Sequence, residues 1–172
     1  TFVSNKIFLL VVIFAANLFS QNTLEQQFDY ANQFLNQEKY YDAITELKRL
    51  QFFDKQNIYS FQSNLLIGKS YKAGAKFDEA VKYLTLAEIN AKSDEEYFAA
   101  KTLNARTNIL RRTNKQAERI LNDLLIDPRF KSNEKEIKYW IGWNYIFSDD
   151  WEKAYEIFNE NNLDTTLANL CK

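Results

Sequence analysis

Hydrophobic, small and polar positions recur along this chain in a fixed order, with a spacing of 37 residues. Ala43, Ala80, Ala117 and Ala154 each follow acidic or polar residues and stand 37 apart. Twelve positions before each alanine comes a small residue: Ala31, Gly68, Ala105 and Gly142. Nine before stand Phe34, Tyr71, Asn108 and Tyr145; three before stand Tyr40, Phe77, Asn114 and Trp151. Four after stand Leu47, Leu84, Leu121 and Phe158, one helical turn along the same face. Small residues on both helices of a pair allow close approach, and the aromatic before each alanine plugs the gap beside the turn. The pattern predicts four helical hairpins, over about 24–60, 61–97, 98–134 and 135–171, with turns at 36–39, 73–76, 112–114 and 148–150. Asp42, Asp78, Glu79, Asp149 and Asp150 fall near the starts of the second helices, where carboxylates suit unpaired N–H groups and the helix dipole. Pro128, the only proline, marks a stop after the second helix of unit three.

The first twenty residues break this pattern. Lys6 precedes ten consecutive apolar residues, Ile7 to Ala16, and Ser20 then leads into a polar chain from Gln21. A cation, a short apolar block and a small residue make a secretory signal peptide, expected over 1–20 with cleavage at Ser20–Gln21 and a repeat domain over 21–172. The block is shorter than the roughly 20 residues that span a bilayer, so no stable membrane insertion is expected after cleavage. No cysteine follows it, which argues against a lipoprotein. The expected location is exported and soluble, periplasmic or extracellular.

Composition narrows the chemistry. Histidine is absent and Cys171 is the single cysteine, which removes His-based general base catalysis, Ser–His–Asp and Cys–His arrangements, and Cys/His zinc sites. The 23 acidic residues are scattered along helices, so neither a carboxylate metal site nor a cofactor site is expected, and the chain reads as a non-enzyme. Net charge is −1, becoming −2 once residues 1–20 and their one cation, Lys6, are removed. That balance gives no footprint for nucleic acid. Three glycines and one proline leave little turn chemistry for strands and hairpins.

The segment "LLIGKSYKAGAKFDEAVKYLTLAE" resembles the tetratricopeptide repeat, through Ile67, Gly68, Tyr71, Ala80 and Ala87. "YWIGWNYIFSDDWEKAYEIF" is a second copy, through Ile141, Gly142, Tyr145, Ala154 and Phe158. Units one and three are degenerate, with Asn104 and Asn108 standing where apolar and aromatic residues are expected. The longer period and the "YW-x-G" helix are similar to bacterial envelope repeat proteins of the kind associated with the Tol–Pal system. The resemblance implies an all-α fold, a right-handed α-α superhelix of four helix-turn-helix units whose first helices line a concave groove. Carried over by register, the groove positions are Asn32, Lys69, Arg106 and Trp143, with Phe28, Leu65, Thr102 and Tyr139 one turn earlier and Lys72 beside Lys69 at the i, i+3 spacing. Asn32, Lys69, Lys72, Arg106, Tyr139 and Trp143 are therefore the expected binding residues, suited to an extended acidic segment with apolar anchors. The carboxylate clamp of some cytosolic members is not reproduced, since Phe28, Leu66, Ala99 and Leu103 occupy its other positions. The implied function is a non-catalytic scaffold or adaptor of the cell envelope that binds a protein or peptide. The alternative is the regulatory part of a longer exported protein with a further domain, suggested because "NENNLDTTLANLCK" stops where a fifth unit would begin and offers no evident capping helix.

Overall fold

A computed structural model describes residues 23–171, which are helical with no strand among them. Helix α1 covers residues 23–36, followed by α2 (Tyr40–Phe53), α3 (Ser60–Ala73), α4 (Phe77–Asn90), α5 (Asp94–Leu110) and α6 (Asn114–Ile126). A 3-10 segment, Pro128–Asn133, leads into α7 (Glu134–Phe147), α8 (Trp151–Glu160) and α9 (Thr165–Leu170). Residues 1–20, expected to be a signal peptide, lie outside the described residues. Each helix from α2 onward packs against its neighbours in sequence, and α5 also touches α3 and α7. The odd-numbered helices α3, α5 and α7 thus share one surface.

The second helices begin at Tyr40, Phe77, Asn114 and Trp151, 37 residues apart. Four turns of the same build precede them. Glu38, Ala75, Arg112 and Asp149 each hold a left-handed backbone, with φ of 57°, 55°, 63° and 61°. In the first turn Lys39 N–H donates to Phe34 O at 2.9 Å and Glu38 N–H donates to Leu35 O at 3.0 Å. The equivalent pairs recur at Lys76/Ala75, Thr113/Arg112 and Asp150/Asp149. This is the Schellman closure, which satisfies carbonyls that the helix end leaves open. No glycine stands at any of the four left-handed positions, although glycine adopts that backbone most readily.

Inside each hairpin, the small column faces the large one. Ala31, Ala105, Leu47, Leu84, Leu121, Phe158 and the four register alanines are all fully buried. A Cβ built on Gly68 would sit 2.7 Å from Leu84 Cγ, and one on Gly142 would sit 2.6 Å from Phe158 Cζ. The missing methyl groups let these two pairs approach closely.

The joints between hairpins carry polar ties. Lys92 Nζ donates to the carbonyls of Asn57 and Ile58 at 3.3 and 3.2 Å. One unit later, Arg129 bonds Asp94 Oδ1 at 2.6 Å. Buried Asp54 takes the amides of Ile58 and Tyr59 at 2.9 and 2.7 Å, closing the joint before α3. Pro128 ends α6 and opens the 3-10 segment, whose Phe130 reaches the core.

Asn104 and Asn108 are buried despite their polarity. Asn104 donates to Glu88 Oε1 at 2.6 Å and to Thr85 Oγ1 at 3.2 Å. Asn108 donates to Asn104 Oδ1 at 2.9 Å and accepts from Thr113 Oγ1 at 2.8 Å. At these two positions unit three carries a connected hydrogen-bond chain beside its apolar core. At the far end, α9 lays Ala168 and Cys171 against Ala154 and Phe158, so a short covering helix is present where none was evident in the sequence. Among the described residues, no helix is long and apolar enough to cross a membrane.

Candidate functional site

Two depressions lie on the surface shared by α3, α5 and α7. The larger, of about 660 Å³, is bordered by Leu65 and Lys69 on α3, Phe98, Thr102 and Arg106 on α5, Arg129 and Phe130 in the 3-10 segment, and Glu136 on α7. The smaller is a slot of about 290 Å³ between α5 and α7, with Lys72 of α3 at its border. Ile109 and Leu110 form one wall, and Tyr139, Trp140, Trp143 and Phe147 form the other. Arg106 belongs to both.

Five of the six expected binding residues border these depressions. Lys72, Arg106, Tyr139 and Trp143 converge on the slot, and Lys69 joins Arg106 at the larger depression. Asn32, on α1, borders neither. Register explains the convergence, because Lys69, Arg106 and Trp143 hold equivalent places on adjacent helices. Thr102 lies one turn before Arg106, on the same face of α5.

The larger depression is also bordered by Asp94 and Glu95, so its three cations face three carboxylates, whereas the slot has Lys72 and Arg106 and no acid at its border. Among the described residues no carboxylate comes within ion-pair distance of Lys69, Lys72 or Arg106. Arg129, by contrast, is paired with Asp94 and Asp127. Burial holds the Lys72 ammonium below the usual lysine range, and the positive charges of Arg106 and Lys69 push it the same way. Arg106 rests its guanidinium 4.0 Å above the Trp140 ring, an attraction of about 0.5–2 kcal/mol depending on desolvation. Thr102 is 4% exposed, and its hydroxyl has no hydrogen-bond partner among the described residues. Ser63, Ser70 and Thr107 show the ordinary alternative, donating to the carbonyl four residues back at 2.7, 2.8 and 2.8 Å. The Thr102 hydroxyl is buried without that bond.

The aromatic wall has two duties. Tyr139 meets the rings of Trp140, Trp143 and Phe158 at centroid distances of 5.3, 6.4 and 5.9 Å. Tyr139 and Trp143 pack on the α8–α9 cluster, and Trp140 and Phe147 on the α5–α6 cluster. The slot opens where those two clusters meet on α7, so its wall is held by the core behind it. Trp140, Leu110, Phe147 and Arg129 were missed by register reasoning. Trp140 carried a signal: it stands three residues before Trp143, a same-face spacing, inside "YWIGW".

No cluster of three or more acidic or cysteine side chains suited to a metal occurs among the described residues. The slot can hold an apolar group by shape, with Lys72 and Arg106 as the cations at its border. No family model matches the chain, and neither the curated proteins nor the solved structures contain a match.

Proposed function

We propose that this protein is a tetratricopeptide-like scaffold of the cell envelope, a right-handed superhelix that binds an extended acidic segment of a partner through the α3–α5–α7 surface. Export through residues 1–20 belongs to the same reading. The observation that carries it is the position of Arg106. It joins the two depressions, stacks on Trp140, and has Lys69 and Lys72 as charged neighbours with no carboxylate paired to any of them. A bound acidic side chain removes that repulsion, and the slot receives an apolar anchor beside it. The tie between the 37-residue column and four alike hairpins supports the repeat assignment.

The test is a binding assay with fluorescent peptides of about ten residues that contain acids and aromatics, against Lys/Ser-rich controls of equal length. Arg106→Glu, checked for helicity by circular dichroism, is expected to weaken the acidic peptides about tenfold or more. Equal binding of acidic and basic peptides, or no loss in Arg106→Glu, refutes the proposal.

A further inference from the structure

We infer that the slot between α5 and α7 is a discrete site for one apolar anion: a single ring or branched apolar group with one carboxylate held close beside it. It rests on the proposed groove only for its location.

Three observations support it. The first is size. A space of about 290 Å³ equals the volume of roughly ten waters, enough for one aromatic ring and a short chain. The second is lining. Ile109, Leu110, Trp140, Trp143 and Phe147 present apolar and aromatic surface, and Leu110 is 39% exposed there. The third is charge. Lys72 and Arg106 border this apolar space from two different helices, and neither has a carboxylate partner among the described residues. Arg106 also makes no side-chain hydrogen bond to described residues that would engage its donors. Cations beside an apolar wall favour a ligand combining both characters, since an uncharged one leaves the repulsion in place. Burial and the two neighbouring cations lower the proton affinity of Lys72 from that of a free lysine, and a bound anion would favour its charged form.

The same ligand chemistry has two sources: a free apolar carboxylic acid, or an aspartate beside an aromatic residue in a peptide. The experiment separates them by titrating the full chain with 3-phenylpropionate and its neutral partner 3-phenylpropanamide, then acetyl-Asp-Phe-amide and acetyl-Asn-Phe-amide. Binding is read by calorimetry and by tryptophan fluorescence. The acid of at least one pair is expected to bind about tenfold tighter than its neutral partner. Lys72→Gln and Arg106→Gln, both half-buried and each checked for helicity by circular dichroism, are expected to abolish that preference. Preference in the first pair identifies a free acid, and preference in the second identifies a peptide side chain. Equal affinity of acid and amide in both pairs, no saturation by any probe up to about 10 mM, or preference unchanged in both variants overturns the inference. Long acidic peptides that bind without any preference in these pairs leave the groove standing and remove the slot. Small acids that bind while long peptides fail do the reverse.

Discussion

The contact between Gly142 and Phe158 can be tested by a double-mutant cycle. A methyl group on residue 142 would lie 2.6, 2.8 and 2.9 Å from Phe158 Cζ, Cε2 and Cε1, so the ring must retreat by about 1 Å to reach ordinary contact. Overpacking of this kind costs about 1–3 kcal/mol. Alanine in a helix interior recovers about 1 kcal/mol over glycine, leaving Gly142→Ala destabilised by about 0–2 kcal/mol. Phe158→Leu alone, at a fully buried site, loses about 1–2 kcal/mol through the space it leaves. The double variant recreates the Ala/Leu combinations found at 31/47 and 105/121, where the same column is already closed. The two changes should therefore offset each other, with a coupling of about 1–2 kcal/mol. Urea unfolding followed by far-ultraviolet circular dichroism on the four proteins measures it. Additivity within about 0.5 kcal/mol would refute the close-approach reasoning.

Three further outcomes follow from the turns, the joints and the polar core. Ala75→Gly removes the left-handed strain at φ 55°, while glycine raises the entropy of the unfolded chain; a net gain of up to about 1 kcal/mol is expected in thermal unfolding, with Ala75→Val losing about 1–2. Asp54→Ala leaves the amides of Ile58 and Tyr59 without their acceptor, and is expected to cost about 2–3 kcal/mol of unfolding free energy, measured by urea titration. Burial pushes the Glu88 carboxyl above its ordinary 4.5, against the opposing pull of the Asn104 hydrogen bond and Lys101. The folded state then holds more protons than the unfolded chain just above pH 4.5, so this group's contribution to stability falls as pH rises through that window. Glu88→Gln should remove that slope, read as the difference between wild-type and variant urea midpoints from roughly pH 4 to pH 7. An unchanged difference across the range would contradict the assigned shift.

The helix starts were legible because four small residues and four alanines had to meet at the same depth in each hairpin. Geometry of that kind leaves residue types behind in fixed columns. The left-handed turn positions left no such trace, since Glu38, Ala75, Arg112 and Asp149 share a backbone and no side-chain chemistry. Asn104 and Asn108 read as decay of the pattern, because a lone buried asparagine looks unfavourable until its partners on α4 and at Thr113 are in place. The site was legible in part for a related reason. Register placed Lys69, Arg106 and Trp143 on adjacent helices, but it could not say which of the aromatics in "YWIGW" would receive the guanidinium. Trp140 took that place through packing on a neighbouring core, which is a property of three helices together. Asn32 shares the column, yet neither depression extends to it.

The polar ties at Lys92 and Arg129 have a mechanical meaning. Each adds one or two bonds at a joint where neighbouring hairpins already share a buried core, Ile67 with Leu47 and Leu50 in one place and Ile141 with Ile120 and Leu121 in another. Because each hairpin is held mainly by its immediate neighbours, a molecule pulled lengthwise should lose an outermost hairpin first and unravel one repeat at a time. Each hairpin and its linker contain 37 residues, which extend to about 120–130 Å when stretched. The extension trace would then climb in steps of nearly equal length, as on a tape measure marked in 37-residue divisions.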